Sequence, residues 1–349
     1  MLINNRTPAV LSTGRTADSR GADCILAVAS ITLRLGQAHV TTEQSQHIER
    51  SDQPAEGSVS RPANLCDFKP GTEVALLGTM EAFEGSPKAR EVSFMIHRGD
   101  VELLNKTLRV TGARVWEHTL TGVRPSAPAG PPSLRLGWEH AWGGTNPTQP
   151  ASPPLRANPI GCGWSTKLDD LIGSPAPSIE IPERPTEPAG FGPLRASWEP
   201  RLSRHGTYDE RWARERAPYK PADFDPRANC FAPDDQFLPD PLRGCERICV
   251  LGMHAQPWVV RVPRYAPLFR AIVRGTPTRF PAHLDTVLLD ADARTMQLSW
   301  RAVIPVPGKA ALIERLDVLG SAPRSVLSGR AVARDEVTTT PAASAMKHL

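Results

Sequence analysis

The feature that most constrains this chain is a central stretch in which tryptophan, glycine and proline occur together. Leu136–Trp164 begins near WEHAWGG and ends with NPIGCGW, and it holds three tryptophans, five glycines and five prolines. Proline removes backbone donors and glycine raises the entropy cost of ordering, so neither a helix nor a long strand is expected here. Tryptophan buries a large apolar area, and its indole N–H needs a partner. We therefore predict an ordered but irregular plug held by flanking β-rich parts.

The excess of proline is confined to this middle part of the chain. The 349 residues include 36 prolines, and sixteen of them lie between Pro125 and Pro200. Six of the eight tryptophans lie between Trp116 and Trp212. A proline-rich region is either disordered or an irregular ordered insert, and the tryptophans favour order.

Strand patterns lie on both sides of this middle part. Short β-branched or alternating segments, separated by turn-like sequences such as FKPG and EGSPK, are typical of a β-sandwich or a barrel. The clearest segments are Cys24–Val40, Glu73–Phe83, Arg90–Arg98, Glu102–Trp116, Glu246–Met253, Trp258–Val262 and a hairpin over Thr286–Pro305 that turns around Asp290–Arg294. The one helix pattern is Asp209–Glu215, which Pro218 would end.

The predicted fold class is therefore mainly β. Two β-sandwich-like or β-barrel-like halves would flank a Pro/Gly/Trp-rich irregular central region with few short helices. The predicted divisions are a flexible tail at 1–23, an N-terminal β-rich half at 24–116, the central region at 117–244, a C-terminal β-rich half at 245–325 and a disordered tail at 326–349.

Charge and composition exclude some classes of function. The net charge is +4 with a pI near 8.8, and no basic run suggests nucleic-acid binding. The longest apolar run, Cys24–Ile31, is far too short to span a membrane, and the first residues do not resemble a signal peptide. Six scattered cysteines in a chain of this length are expected to be reduced thiols. These features predict a cytoplasmic protein without a nucleic-acid or membrane partner.

Few residues suggest catalysis or metal binding. Glu139 precedes His140, but adjacent residues of an extended chain point to opposite faces. Asp223 and Asp225 resemble an acidic metal loop only faintly, because Arg227 occupies a ligand position of that pattern. The chain also lacks the nucleophile-elbow, zinc-protease, P-loop and dinucleotide-binding motifs. We therefore predict no catalytic residue, no metal site and no cofactor.

The central aromatic and arginine residues are the predicted contact residues. Tryptophan, tyrosine and arginine are enriched at the hot spots of protein interfaces, and their concentration here suggests a partner surface. For any single residue, internal packing of an irregular insert is favoured by roughly two to one. The predicted interaction residues are Trp138, His140, Trp142, Trp164, Trp198, Arg201, Tyr208 and Trp212. The predicted structural motif residues are Gly143, Gly144, Asn158, Pro159, Gly161, Gly163, Gly206, Asp223 and Asp225.

The ordered series of motifs resembles the bacterial domain-of-unknown-function family 2169, which is found among type VI secretion accessory proteins. The resemblance covers about residues 24–320 and rests on ASITLRL, DFKPGTEVALLG, LRVTGARVW, WEHAWGG, NPIGCGW, PAGFGPL-x₃-W-x₂-R, GTYDERW, PADFDPRANCFAPDDQ and LRGCE. It departs from the family at Trp138 and Trp142, where tyrosine or phenylalanine is usual, and at His140, where arginine is common. This departure bears on the choice of partner if the motif binds one.

The resemblance implies a cytoplasmic adaptor or chaperone that helps load an effector protein onto the secretion spike. That spike is built from valine-glycine-repeat proteins and is tipped by PAAR-type proteins. Two other hypotheses stay open. One is a hydrolase or effector-modifying enzyme that uses His140, Glu139 or the pair Asp223 and Asp225, and the other is a structural component of the secretion apparatus. The sequence does not indicate the docking surface or the oligomeric state.

Overall fold

The computed structural model of the chain describes residues 1–17, 22–35, 40–42, 48–55, 58–306 and 313–320. The strands are β1 Leu2–Arg6, β2 Val10–Ala17, β3 Asp23–Leu35, β4 Val40–Thr42, β5 Gln53–Ala55, β6 Ser58–Arg61, β7 Thr72–Leu77, β8 Thr79–Met80, β9 Ala89–Arg98, β10 Val101–Thr111, β11 Arg114–Thr119, β12 Gly122–Pro125, β13 Leu134–Arg135, β14 Trp142–Gly143, β15 Cys162–Gly163, β16 Pro175–Ala176, β17 Ile179–Glu180, β18 Phe237–Leu238, β19 Arg247–Leu251, β20 Trp258–Arg261, β21 Leu268–Val273, β22 Thr276–Phe280, β23 Leu284–Asp290, β24 Thr295–Pro305 and β25 Ile313–Leu319.

Helical structure within these residues is short. One α-helix, α1, spans Glu210–Glu215, and 3₁₀ turns lie at Trp138–His140, Leu168–Leu171, Ser203–His205, Pro226–Asn229 and Asp234–Gln236. The side chain of Asp209 accepts a hydrogen bond from the backbone N–H of Trp212 at 2.8 Å and so caps α1. The helix predicted over Asp209–Glu215 is thus present, with its first residue as the cap.

In the described part of the chain, the three sheets with four or more strands surround a common core. The largest has the order β18-β7-β23-β24-β3-β2, with β4 added to β3. A five-stranded sheet has the order β17-β10-β9-β19-β20, and a four-stranded sheet has the order β1-β25-β21-β22. Ile31, Phe94 and Phe269, one from each sheet, are fully buried members of the same hydrophobic cluster. Alternation along each strand places one face of every sheet in this core.

The mainly β class is confirmed, and the strands of the two predicted halves are interleaved. The largest sheet combines β3 and β7 from residues 24–116 with β23 and β24 from residues 245–325. Strand β7 pairs in parallel with β23, and β3 pairs antiparallel with β24. None of the sheets in the described part of the chain closes into a barrel. The two β-rich stretches therefore share sheets and do not form separate sandwich-like units.

Three local details differ from the sequence prediction. In place of a flexible tail at 1–23, the chain forms β1 and β2 in the described part of that segment. The segment predicted as one strand over Glu73–Phe83 breaks after Leu77 at Gly78, where a Cβ would overlap the side chain of Met253. The segment Glu102–Trp116 divides into β10 and β11. The tail predicted at 326–349 lies outside the described residues.

A buried ion pair attaches the central region to the largest sheet. Lys69 and Glu73 are both fully buried and are in direct contact through Nζ and Oε1. The other carboxylate oxygen of Glu73 accepts hydrogen bonds from the backbone N–H groups of Phe231 (2.5 Å) and Ala232 (2.7 Å). A charge is tolerated in the interior when it is paired and hydrogen-bonded, and here both conditions hold.

A second buried pair lies next to the first. The guanidinium of Arg301 on β24 contacts both carboxylate oxygens of Asp285 on β23. Arg301 also donates to Asn64 Oδ1 at 2.9 Å, and Lys69 Nζ donates to the same oxygen at 2.6 Å. Asn64 thereby joins the two ion pairs into one network beneath residues 228–232.

Candidate interaction surface

The two ends of the Trp/Gly/Pro-rich stretch close onto each other. We refer to residues 138–144 and 158–164 as the clasp. Trp142–Gly143 pairs in parallel with Cys162–Gly163, so the two motifs form a two-stranded contact. The buried side chain of Asn158 donates hydrogen bonds to the carbonyl oxygens of Trp138 (2.8 Å) and Trp142 (3.0 Å). One side-chain amide therefore bonds to two backbone carbonyl groups of this irregular segment.

Glycine is needed in the clasp because backbones cross there. Gly144 has φ +80°, and a Cβ at this position would overlap the carbonyl oxygen of Gly161. A Cβ at Gly161 would lie 2.6 Å from the carbonyl oxygen of Ala141. Gly143 and Gly163 belong to the paired strands, and Pro159 follows Asn158 in a turn closed by a 3.3 Å hydrogen bond from Gly161 N–H. The motif residues thus shape the backbone.

Four of the predicted interaction residues are buried inside the chain. Trp142 packs edge-to-face against Trp116, and Trp138 packs in the same way against Trp198, with centroid separations of 5.9 and 6.3 Å. The indole N–H of Trp138 donates to Gly192 O at 3.1 Å. Arg201, also buried, donates to two backbone carbonyl groups at 2.5 and 3.1 Å. Trp138, Trp142, Trp198 and Arg201 therefore serve internal packing, which corrects their prediction as surface contacts.

His140 and Trp164 are only partly buried. Trp164 packs against the cluster that contains Trp142. The imidazole of His140 lies 3.9 Å from the carboxylate of Glu139, whose other oxygen accepts the hydroxyl hydrogen of buried Ser58. In a serine-type triad the histidine lies between the hydroxyl and the acid. Here Glu139 lies between Ser58 and His140. The hydroxyl of Ser58 therefore donates to a carboxylate, and His140 is not placed to accept its proton.

The exposed aromatic residues lie elsewhere in the central region, on a segment that we call the aromatic lobe, residues 202–224. It contains one 3₁₀ turn and α1. Leu202, Tyr208 and Tyr219 are 39%, 56% and 42% exposed. The ring of Tyr208 lies 4.8 Å from that of Trp212, whose indole N–H donates to Tyr219 O at 2.7 Å. These contacts fix the rings of Tyr208 and Trp212 relative to each other, although Tyr208 is largely exposed to solvent.

Ion pairs attach the aromatic lobe to the rest of the protein. Arg204 forms a bidentate pair with Asp234 at 2.7 Å on both branches. Lys220 contacts both carboxylate oxygens of Asp67 at 2.7 Å and lies 3.8 Å from the ring centroid of Phe224. Bidentate arginine–carboxylate pairs impose a defined geometry as well as attraction. The aromatic lobe is therefore positioned at both of its ends by charged contacts to other segments.

Asp223, Asp225 and Gly206 have local roles in the same segment. Asp223 accepts hydrogen bonds from the backbone N–H (3.0 Å) and the hydroxyl (2.8 Å) of Thr207. Gly206 has φ +82°, and a Cβ there would lie 2.8 Å from an Asp223 oxygen. Asp225 accepts from Arg227 N–H at 2.8 Å and caps the following 3₁₀ turn. The two aspartates hold local turns, which is a structural role.

One ionisable group of the aromatic lobe, His205, and one of its anchoring partners, Asp234, have shifted pKa values that follow from their surroundings. The hydrogen bond from Arg204 lowers the pKa of Asp234 below its ordinary value, against the opposing effect of burial. Burial, and then the positive charges of Arg201 and Lys220, lower the pKa of His205. His205 is therefore neutral at pH 7, and Asp234 is ionised.

The structure also contains a cavity of about 710 Å³ on the largest sheet. Among the described residues that line it, none comes from the central region at 117–244. No group of three or more His, Cys, Asp or Glu side chains within the described residues is arranged to hold a metal ion. In that same part of the chain, no helix combines the length and apolarity that a membrane span requires.

Fold and surface together define a mainly β protein that holds exposed aromatic side chains on an irregular insert. A family model for DUF2169, described as an uncharacterized protein conserved in bacteria, matches residues 20–301. The chain belongs to this family. Neither the comparison with curated proteins nor that with solved structures gave a match.

Sequence reasoning named Tyr208 and Trp212 but missed Leu202 and Tyr219, two exposed residues of the same segment. A search for apolar residues around the short α1 pattern would have found both. It also missed the buried pair Lys69 and Glu73. No simple sequence signal marks this pair, because oppositely charged residues four apart usually lie on an exposed surface.

Proposed function

We propose that the chain is a non-enzymatic cytosolic adaptor or chaperone that binds an effector protein and helps load it onto the type VI secretion spike. The observation that carries the proposal is the aromatic lobe, where exposed Tyr208 and Tyr219 flank the partly buried Trp212 on a charge-anchored support. Tyrosine and tryptophan supply large contact area with few rotatable bonds, and they dominate binding energy at many interfaces. The secretion context of the proposal rests on the family resemblance.

Two further observations support binding over catalysis. The polar residues considered for an enzyme, Asp223 and Asp225, are engaged in local turn contacts. Glu139 accepts the hydrogen bond of Ser58 and lies between Ser58 and His140, so His140 is not beside the hydroxyl. The partners of the proposed adaptor are an effector and the valine-glycine-repeat and PAAR-type proteins of the spike.

Co-expression with an effector and a spike protein encoded next to this chain's gene tests the proposal. We expect the three proteins to co-purify, and we expect the double variant Tyr208→Ser/Tyr219→Ser to retain the effector at least about tenfold more weakly. Leu120→Ser is the matched control, since Leu120 is a fully exposed apolar residue outside the lobe. It should leave retention unchanged.

Each outcome has a clear meaning. Failure of the wild-type chain to retain both an effector and a spike protein contradicts the adaptor role. Undiminished retention by Tyr208→Ser/Tyr219→Ser moves the docking surface away from the aromatic lobe. Appearance of this chain in the culture medium together with the spike would favour a structural component of the apparatus.

A further inference from the structure

The five-stranded sheet ends in a free strand edge. Strand β20, Trp258–Arg261, is the outermost strand, and its one sheet partner in the described part of the chain is β19. The backbone N–H of the next residue, Val262, donates to Glu246 O at 2.9 Å, and its carbonyl accepts from Cys245 N–H at 2.7 Å. Both polar groups of Val262 thus face the β19 side. Because backbone direction alternates along a strand, the N–H and C=O groups of Val259 and Arg261 face away from β19.

This edge is chemically suited to accept another strand. Val259 is 51% exposed, and Trp258 and Val260 pack partly against the core. The edge strand β22 of the four-stranded sheet contains Pro277, which has no N–H to donate. By contrast, β20 has no proline within its four residues, so every outward N–H is available.

A row of positive side chains crosses the outer face next to this edge. Arg261 lies directly opposite Arg247 on β19, and Arg247 lies directly opposite His97 on β9. Both arginines are exposed. Like charges on directly opposite residues destabilise a strand pair. Arg261 and Arg247 form a non-hydrogen-bonded pair, and opposite side chains lie closest together in pairs of that type.

The chain itself does not compensate this charge. Glu102, the residue opposite His97, lies 3.8 Å from the imidazole at the end of the row far from Arg261. In the ion pairs formed among the described residues, neither Arg247 nor Arg261 takes part. The row thus presents two positive charges without a carboxylate partner, beside a strand edge with unpaired backbone groups.

We propose that the β20 edge binds an extended acidic segment of a partner protein by strand addition. The segment forms backbone hydrogen bonds with Val259 and Arg261, and its outward carboxylates lie against Arg261 and Arg247. Strand addition draws affinity from backbone bonds and specificity from alternate side chains. A second copy of this chain is a poor occupant, since pairing β20 with β20 would bring two arginine rows together.

The direct test uses a fluorescein-labelled octapeptide of alternating threonine and glutamate, with both ends blocked, and fluorescence anisotropy on the full chain. We expect saturable binding that weakens as salt is added, and weaker binding of the same peptide with lysine in place of glutamate. Arg247→Gln/Arg261→Gln should lower affinity by about tenfold, roughly threefold for each exposed ion pair. Arg274→Gln/Arg279→Gln is the matched control, because it removes the same charge around β22.

A second variant separates strand addition from simple charge attraction. Val259→Pro removes an outward N–H and leaves the bonds to β19 intact, so the circular dichroism spectrum should not change while peptide binding falls at least about threefold. Equal binding of the glutamate and lysine peptides, or unchanged binding by both variants, would overturn the proposal. Self-association that disappears in Val259→Pro would also overturn it, in favour of a second copy.

The proposal is independent of the aromatic lobe. Tyr208→Ser/Tyr219→Ser should bind the glutamate peptide as the wild type does. If the peptide does not bind while an effector still co-purifies with the wild-type chain, the strand-addition proposal fails and the adaptor role stands.

Discussion

The clasp and the aromatic lobe lie in the same central region, and both are rich in aromatic residues. In the clasp, Trp138 and Trp142 are buried, and Asn158 bonds to backbone carbonyl groups. In the lobe, Tyr208 and Tyr219 are exposed, and Arg204 and Lys220 anchor the segment through ion pairs.

The difference shows how similar compositions produce different roles. In the clasp, glycines let two backbones cross, so the neighbouring indoles fill the space between segments. The lobe has a short capped helix and charged anchors, so its rings remain on the surface. Neutral backbone bonds hold the clasp, and ionic contacts hold the lobe, which gives the two segments different sensitivities to pH, salt and substitution.

The largest expected effect concerns the buried ion pair that attaches the central region to the largest sheet. Glu73→Ala should lower the free energy of unfolding by about 3–5 kcal/mol, because it leaves the Lys69 charge buried and unpaired and removes the acceptor for Phe231 and Ala232 N–H. Chemical denaturation measures the change. Glu81→Ala, at an exposed carboxylate, should change stability by less than about 0.5 kcal/mol. Equal losses in the two variants would mean that the buried pair does not support the fold.

The next effect tests whether backbone crossing defines the clasp. Gly144→Ala should cost about 2–4 kcal/mol, since the new Cβ combines an unfavourable φ with overlap of the Gly161 carbonyl. Gly85→Ala is a close control, because Gly85 has φ +77° and no atom near the added Cβ. It should cost only about 1 kcal/mol, from the φ strain alone. Thermal unfolding of both variants gives the comparison, and indistinguishable midpoints would remove the steric argument for the clasp.

A smaller effect is expected on the surface of the lobe. Tyr208→Ser/Tyr219→Ser should lower the free energy of unfolding by about 1 kcal/mol or less, because exposed rings contribute little to folding. Urea denaturation provides the value. A loss comparable to that of Gly144→Ala would show that these rings belong to the packed structure, and the contrast between lobe and clasp would then be wrong.

The smallest effect concerns pH. The pKa of Asp234 is lowered by Arg204, so this carboxylate stabilises the native state above its unfolded pKa of about 3.9. The contribution disappears as pH falls through the lower native value. The stability difference between the wild type and Asp234→Asn should be constant from pH 7 to 5 and should shrink below about pH 4. Asp100→Asn, at an exposed turn, serves as the control, and a difference that grows on acidification would contradict the sign of the shift.

Local features of the fold were predictable from sequence. The alternation in Arg90–Arg98 and the hairpin around Asp290–Arg294 correspond to β9 and to β23 with β24. The place of α1 was also predictable, because Pro218 lies just beyond it and a proline cannot continue a helix.

Long-range features were not predictable in the same way. Alternation identifies a strand and its buried face, but it does not identify the neighbour, so the parallel pairing of β7 with β23 could not be derived. From composition, Trp138 and Tyr208 were both predicted to be interaction residues, but Trp138 is buried and Tyr208 is exposed. That separation depends on Gly144 and Asn158, whose close contacts exist only once the chain has folded.

Hydrogen–deuterium exchange of the full chain, alone and in its co-purified effector complex, tests the central claim most directly. We predict that the partner slows exchange in residues 207–219 of the aromatic lobe and leaves residues 138–144 and 158–164 of the clasp unchanged. Slower exchange in the clasp together with unchanged exchange in the lobe would contradict the account, since the tryptophan motif would then be the part of the chain that responds to the partner.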